Sequence, residues 1–157
     1  MKKRLLIVLL VLSLSSLSVS ALGIGGAFSF NALGTDSAIP GGALSLKLDG
    51  IDPIFGIGVR AGNGILNLGL TADYWMFREH LTGMLNIYAG PGAYVNLTLG
   101  DATDVDLGLR IPVGLNMYPI DILELFVELA PRVGIALNPL VFPTWGIQGA
   151  VGFRFWF

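Results

Sequence analysis

The 157-residue chain has no cysteine and only one histidine. The first absence excludes disulfides, thiolate metal sites, a cysteine nucleophile and a lipid-modified N-terminal cysteine. Charge is scarce too. Asp, Glu, Lys and Arg make up 13% of the residues, about half the share of an average soluble domain. The nine basic residues form no patch and are outnumbered by eleven acidic ones, which argues against a nucleic-acid partner. What the chain does have is apolar side chains, 54% of its residues, and 22 glycines. It is hydrophobic overall, yet rich in the residue that weakens helices.

The first segment, MKKRLLIVLLVLSLSSLSVSA, has the pattern of a secretory signal peptide. Lys2, Lys3 and Arg4 form a positive start, Leu5 to Leu17 an apolar stretch, and Val19-Ser20-Ala21 supplies small or compact residues for cleavage. The alternative is an uncleaved anchor helix, but the stretch is short for a span and interrupted by serine. The expected organisation is a signal peptide over residues 1–21 and one domain over residues 22–157. Removing the leader takes three basic residues and no acidic one, which leaves 6 against 11 and a net charge of −5.

Two uncharged runs of 21 residues, His80–Gly100 and Val133–Phe153, are long enough for membrane helices by hydropathy. Glycines and prolines interrupt both, and their period is two. From Trp145 the odd positions read Trp, Ile, Gly, Val, Phe, Phe, Phe, while the even ones include Gly146, Gln148, Gly152 and Arg154. That is a strand with one greasy face. Upstream segments repeat the rule. In Leu123–Leu137 the odd face is apolar and the even face holds Glu124, Glu128, Arg132 and Gly134. Val105–Tyr118, Met84–Leu99, Ile65–Met76, Ile54–Gly62, Ala43–Asp49 and Leu22–Ala32 each set an apolar face against a small or polar one. Turn signals such as Gly62-Asn63-Gly64, Gly100-Asp101 and Pro119-Ile120-Asp121 separate them. Eight strands with short connections imply antiparallel hairpins.

A soluble β-sandwich would also alternate. Its polar faces would meet water, and here they are too glycine-rich and too poor in charge for that. The inverted assignment fits: apolar faces outward to lipid, small and charged residues inward. Only helices and closed barrels satisfy every backbone hydrogen bond in a bilayer. The expected fold is therefore all-β, an eight-stranded antiparallel up-and-down transmembrane β-barrel. Eight tilted strands enclose a lumen just wide enough for side chains to fill. The expected lumen charges balance: Lys47, Arg60, Arg110, Arg132 and Arg154 against Asp49, Asp73, Asp106, Glu124 and Glu128. With the last hairpin centred near Val141, Glu128 is expected to face Arg154. Glu124, Glu128 and Arg132 recur every four residues, about 13 Å apart along the strand, so each needs a partner on a neighbouring strand.

The ending, VGFRFWF, resembles the terminal signal of Gram-negative outer-membrane barrels, with Val151, Phe153, Phe155 and Phe157 as the matching residues. Together with the leader and the eight strands, residues 22–157 resemble the small OmpA/OmpX/OmpW-like class. More narrowly, DYW, GPGAYV, LRIPVGLNMYPIDILELFVELAPRVGIAL and WGIQGAVGFRFWF look similar to a small outer-membrane family of unknown function. The resemblance implies an outer-membrane location, lipid as surroundings, and barrel-insertion machinery as the partner that reads the terminal signal.

Little in the chain points to chemistry. His80 is expected in the fourth connection, on the periplasmic side if the N-terminus is periplasmic, far from Ser29, Ser37 and Ser45 of the first hairpin. A serine–histidine arrangement is thus disfavoured. Glu124 and Glu128 are too far apart for either glycosidase geometry. GIGVRAG at residues 56–62 lacks the helix a dinucleotide loop requires, and no cluster suggests a metal. No cofactor is expected. Pro91, Pro112 and Pro131 fall inside expected strands, so each implies a bulge or a weak site. The leading functional expectation is a non-enzymatic, mainly structural barrel with a plugged, charged lumen. The alternatives are a narrow porin-like channel or transport protein for ions or small polar solutes, and a lipid-modifying envelope enzyme.

Overall fold

Apolar–polar alternation through nearly every segment leaves the backbone one economical solution, a sheet with two unlike faces. A computed structural model describes residues 22–34, 40–48, 51–62, 64–100 and 102–157. The proposed signal peptide and Asp49 lie outside the described residues. The strands are β1 (Leu22–Gly34), β2 (Gly41–Leu48), β3 (Ile51–Gly62), β4 (Ile65–Tyr74), β5 (Phe77–Thr82), β6 (Leu85–Ala89), β7 (Gly92–Leu99), β8 (Thr103–Arg110), β9 (Val113–Ile120), β10 (Leu123–Leu137) and β11 (Leu140–Trp156). Three pairs, β4 with β5, β6 with β7 and β8 with β9, each form one interrupted stave. The result is eight antiparallel staves, closed where β11 pairs with both β1 and β10.

The faces sort as the alternation requires. Leu125, Val127 and Phe155 point outward, with 38%, 49% and 40% of their surface exposed, whereas Glu128 and Arg132 are buried in the lumen. A closed barrel with an oily exterior and an ionic interior suits hydrocarbon surroundings, because closure pairs both edges of the staves along the barrel wall; among the described residues β5, the extension of the fourth stave, pairs with β6 alone. The chain end belongs to the wall: Phe157 exchanges backbone hydrogen bonds with Leu22 (3.1 and 3.2 Å), and the Trp156 amide donates to the Ile122 carbonyl at 2.9 Å.

Prolines mark two of the three stave breaks. Gly90-Pro91 separates β6 from β7, and Ile111-Pro112 separates β8 from β9. Pro131 does not interrupt β10; it lies where β10 passes from β8 (Arg132 opposite Arg110) to β9 (Leu129 opposite Val113). The three prolines line up across neighbouring staves, and each carbonyl accepts a hydrogen bond from the stave before it. The donors are the amides of Tyr74, Gly90 and Ile111, at 2.8, 3.2 and 2.9 Å. A Cβ at Gly90 would run into the Tyr74 carbonyl, so only glycine lets the staves approach this closely.

Three expectations need correction. The last turn is Asn138-Pro139, not a loop centred near Val141, because Leu137 already pairs with Leu140. Glu128 therefore lies opposite Ala150, and Arg154 faces Glu124. His80 is not in a connection. It belongs to β5, which extends the fourth stave past Trp75 and Met76, and its ring Nδ1 is 3.1 Å from Asn86 Oδ1 on β6.

Candidate functional site: the charged lumen

Inward-facing positions of β10 recur every second residue, and every fourth one from Glu124 to Arg132 is ionic. Each of these three anchors a cluster reached from neighbouring staves. Glu124, fully buried, takes Arg154 Nη1 at 3.0 Å and Lys47 Nζ at 3.9 Å. It also accepts hydrogen bonds from Asn116 Nδ2 at 2.7 Å and Trp156 Nε1 at 3.1 Å. Two hydrogen-bond donors and two cations around one carboxylate are what a buried charge needs to offset its lost hydration.

Glu128 anchors the second cluster. Arg110 pairs with it through Nη2, reaches Asp73 through Nε at 3.1 Å, and donates from Nη1 to Gln148 Oε1 at 2.8 Å. Tyr88 Oη donates to the other oxygen of Glu128 at 3.0 Å. In the third cluster Arg132 meets Asp106 at 3.0 Å, and Thr144 Oγ1 donates to the same carboxylate at 2.8 Å. Among the residues expected in the lumen, Lys47, Asp73, Arg110, Glu124, Glu128, Arg132 and Arg154 thus fall into three pairing groups. Arg60 is buried on β3 but joins none of them among the described residues.

An aromatic layer crosses the lumen beside these charges. Trp75 and Tyr88 stack with ring centroids 3.6 Å apart, and both are buried with Ile54. Lys47, Arg154 and Arg78 sit 4.1, 5.3 and 5.5 Å from the Trp75 ring centre. The indole face attracts all three cations. Gly114 makes room for this layer, since a Cβ there would strike the Tyr88 ring. Parity places Trp75 inward with Asp73, and Tyr88 inward with Asn86. Their meeting across the lumen depends on register, which periodicity does not encode.

Two cavities flank the layer. One, of about 80 Å³, lies between the Arg110–Glu128 cluster and a wall of small residues that includes Ala43, Gly56, Gly58 and Gly69. The other, of about 220 Å³, lies among Lys47, Trp75, Arg78, His80, Tyr88 and Tyr118. No residue lines both. Ser29 and Ser45 line the first cavity and His80 the second, so these serines and the histidine do not share a site.

No family model matches the chain, and no curated protein matches it. Among solved structures it is similar to neisserial surface protein A, at 14% identity and a TM-score of 0.54, covering 86% of this chain and 95% of that one. It is also aligned with Ail, the attachment invasion locus protein of Yersinia pestis, at 10% identity and a TM-score of 0.49, covering 87% and 95%. The first likeness is one of fold: an eight-stranded barrel of the small outer-membrane type.

Proposed function

We propose that this small outer-membrane β-barrel is a non-enzymatic, mainly structural membrane protein whose lumen is plugged by its own side chains. The observation that carries this reading is the absence of a shared lining residue between the two cavities. The Trp75–Tyr88 stack and the fully buried Glu124 lie between them. Water or ions crossing the barrel would have to part a stacked aromatic pair and strip charges already bound to one another. The separation of Ser29 and Ser45 from His80 supports a non-enzymatic role.

In planar bilayers the refolded wild type is expected to show negligible conductance. Trp75→Ala with Tyr88→Ala should join the two cavities and give resolved ion-conducting steps. Steady conductance of the wild type would favour a narrow channel for ions or small polar solutes. Glu128→Gln and Arg154→Gln would then shift its ion selectivity.

In the same reading residues 1–21 direct export, and Val151, Phe153, Phe155 and Phe157 form the strand signal recognised by barrel-insertion machinery. These four side chains point outward, 51%, 42%, 40% and 80% exposed, so they are available to a partner before lipid covers them. Phe157→Ala should lower the fraction of heat-modifiable, assembled barrel in cells. The same variant should still refold in detergent micelles, where no machinery is needed. Equal assembly of wild type and variant in cells would remove the signal assignment.

A further inference from the structure

Five cations and four carboxylates are buried among the described residues: Lys47, Arg60, Arg110, Arg132 and Arg154 against Asp73, Asp106, Glu124 and Glu128. All but one of these ions have an opposite charge within 4.0 Å; the exception is Arg60. Its side chain rises from β3 over Gly41, is about nine-tenths buried, and lines the 80 Å³ cavity. The two carboxylates lining that cavity are already engaged. Asp73 is held by Arg110, and Glu128 by Arg110 and Tyr88. A buried guanidinium without a counter-charge is costly, and the surplus in this space is positive.

We propose that the cavity beside Arg60 is a binding site for a small oxyanion, either inorganic phosphate or the carboxylate of a small acid. The guanidinium fork matches two oxygens of such a group. Ser29, Asn67, Thr71, Asn96 and Gln148 bring further hydroxyl and amide groups to the same space. Its size sets the ligand class. At roughly 10–15 Å³ per water-sized position, 80 Å³ admits about five to eight such positions, close to the heavy-atom count of a phosphate. The small-residue wall creates this room, and a Cβ at Gly58 would find its nearest neighbours only at 3.9 Å. The site depends on the barrel and its inward face and not on whether the lumen conducts, so conductance and binding report on the two proposals separately.

The test is calorimetric titration of the purified barrel in detergent micelles with inorganic phosphate and, separately, sodium acetate. Chloride at matched ionic strength is the control. Saturable millimolar binding of either oxyanion is expected, weakened at least tenfold by Arg60→Gln and less by Arg60→Lys. Gly58→Leu keeps the charge but fills the cavity, and should abolish binding even if Arg60→Gln fails to fold. Acetate competing with phosphate would extend the site to carboxylates, and phosphate binding without competition would narrow it to tetrahedral oxyanions. No saturable heat with the wild type beyond the chloride control, or binding unchanged in Arg60→Gln or in Gly58→Leu, would overturn the proposal.

Discussion

Glu124→Ala is expected to destabilise the barrel by about 3–5 kcal/mol, the cost of leaving a buried partner charge uncompensated. Glu124 is fully buried and is the only carboxylate within 4.0 Å of Arg154 among the described residues. Without it Arg154 keeps the Ser45 hydroxyl at 2.8 Å and the Phe126 ring at 4.1 Å. Neither neutralises a full charge. Asn116 and Trp156 would lose their acceptor as well. The joint variant Glu124→Leu, Arg154→Leu removes both members of the main pair and should recover much of the loss, as apolar replacement of a buried pair commonly does. Urea unfolding in phospholipid vesicles, followed by tryptophan fluorescence, measures both. A loss below about 1 kcal/mol, the scale of a solvated pair, would mean that water fills the lumen and that the plug reading is wrong.

The partner of Arg154 also shows where the sequence stopped being legible. Period-two alternation carried the fold, because a half-lipid, half-lumen strand writes its two environments onto alternate residues. It placed Arg154 and Glu124 inward, but pairing them required the turn. By composition, Pro139 and Pro143 place the last hairpin's centre near Val141. Pro143 is instead tolerated within β11, since among the described residues the β1 pairing ends at Gly34 opposite Gly146. On the fourth stave Met76 and Phe77 both point outward, which breaks the alternation. The parity reading ended there, although β5 resumes immediately and carries His80 into a strand. Arg60 was counted into a balanced set of charges. Balance is a property of the sum, whereas pairing is a property of register, and register left Arg60 apart.

Leu70→Arg is expected to cost about 2–4 kcal/mol in vesicles, the penalty of a cation on a lipid-facing strand near the bilayer midplane. Leu70 is 56% exposed on β4, flanked by outward-facing Ile57 on β3 and Val95 on β7, well away from either rim. Phe157→Arg offers the contrast. That residue is 80% exposed at the end of the last stave, where a cation can reach headgroups and the expected cost falls to about 0–1 kcal/mol. The difference between the two variants depends on depth and not on intrinsic strand preference, because both replace a large apolar side chain that points outward. It should shrink in short-chain detergent micelles, whose thinner apolar layer lets water approach Leu70. If the two variants unfold at equal urea concentrations in vesicles, the outward face does not meet a hydrocarbon slab, and the transmembrane placement of the barrel falls.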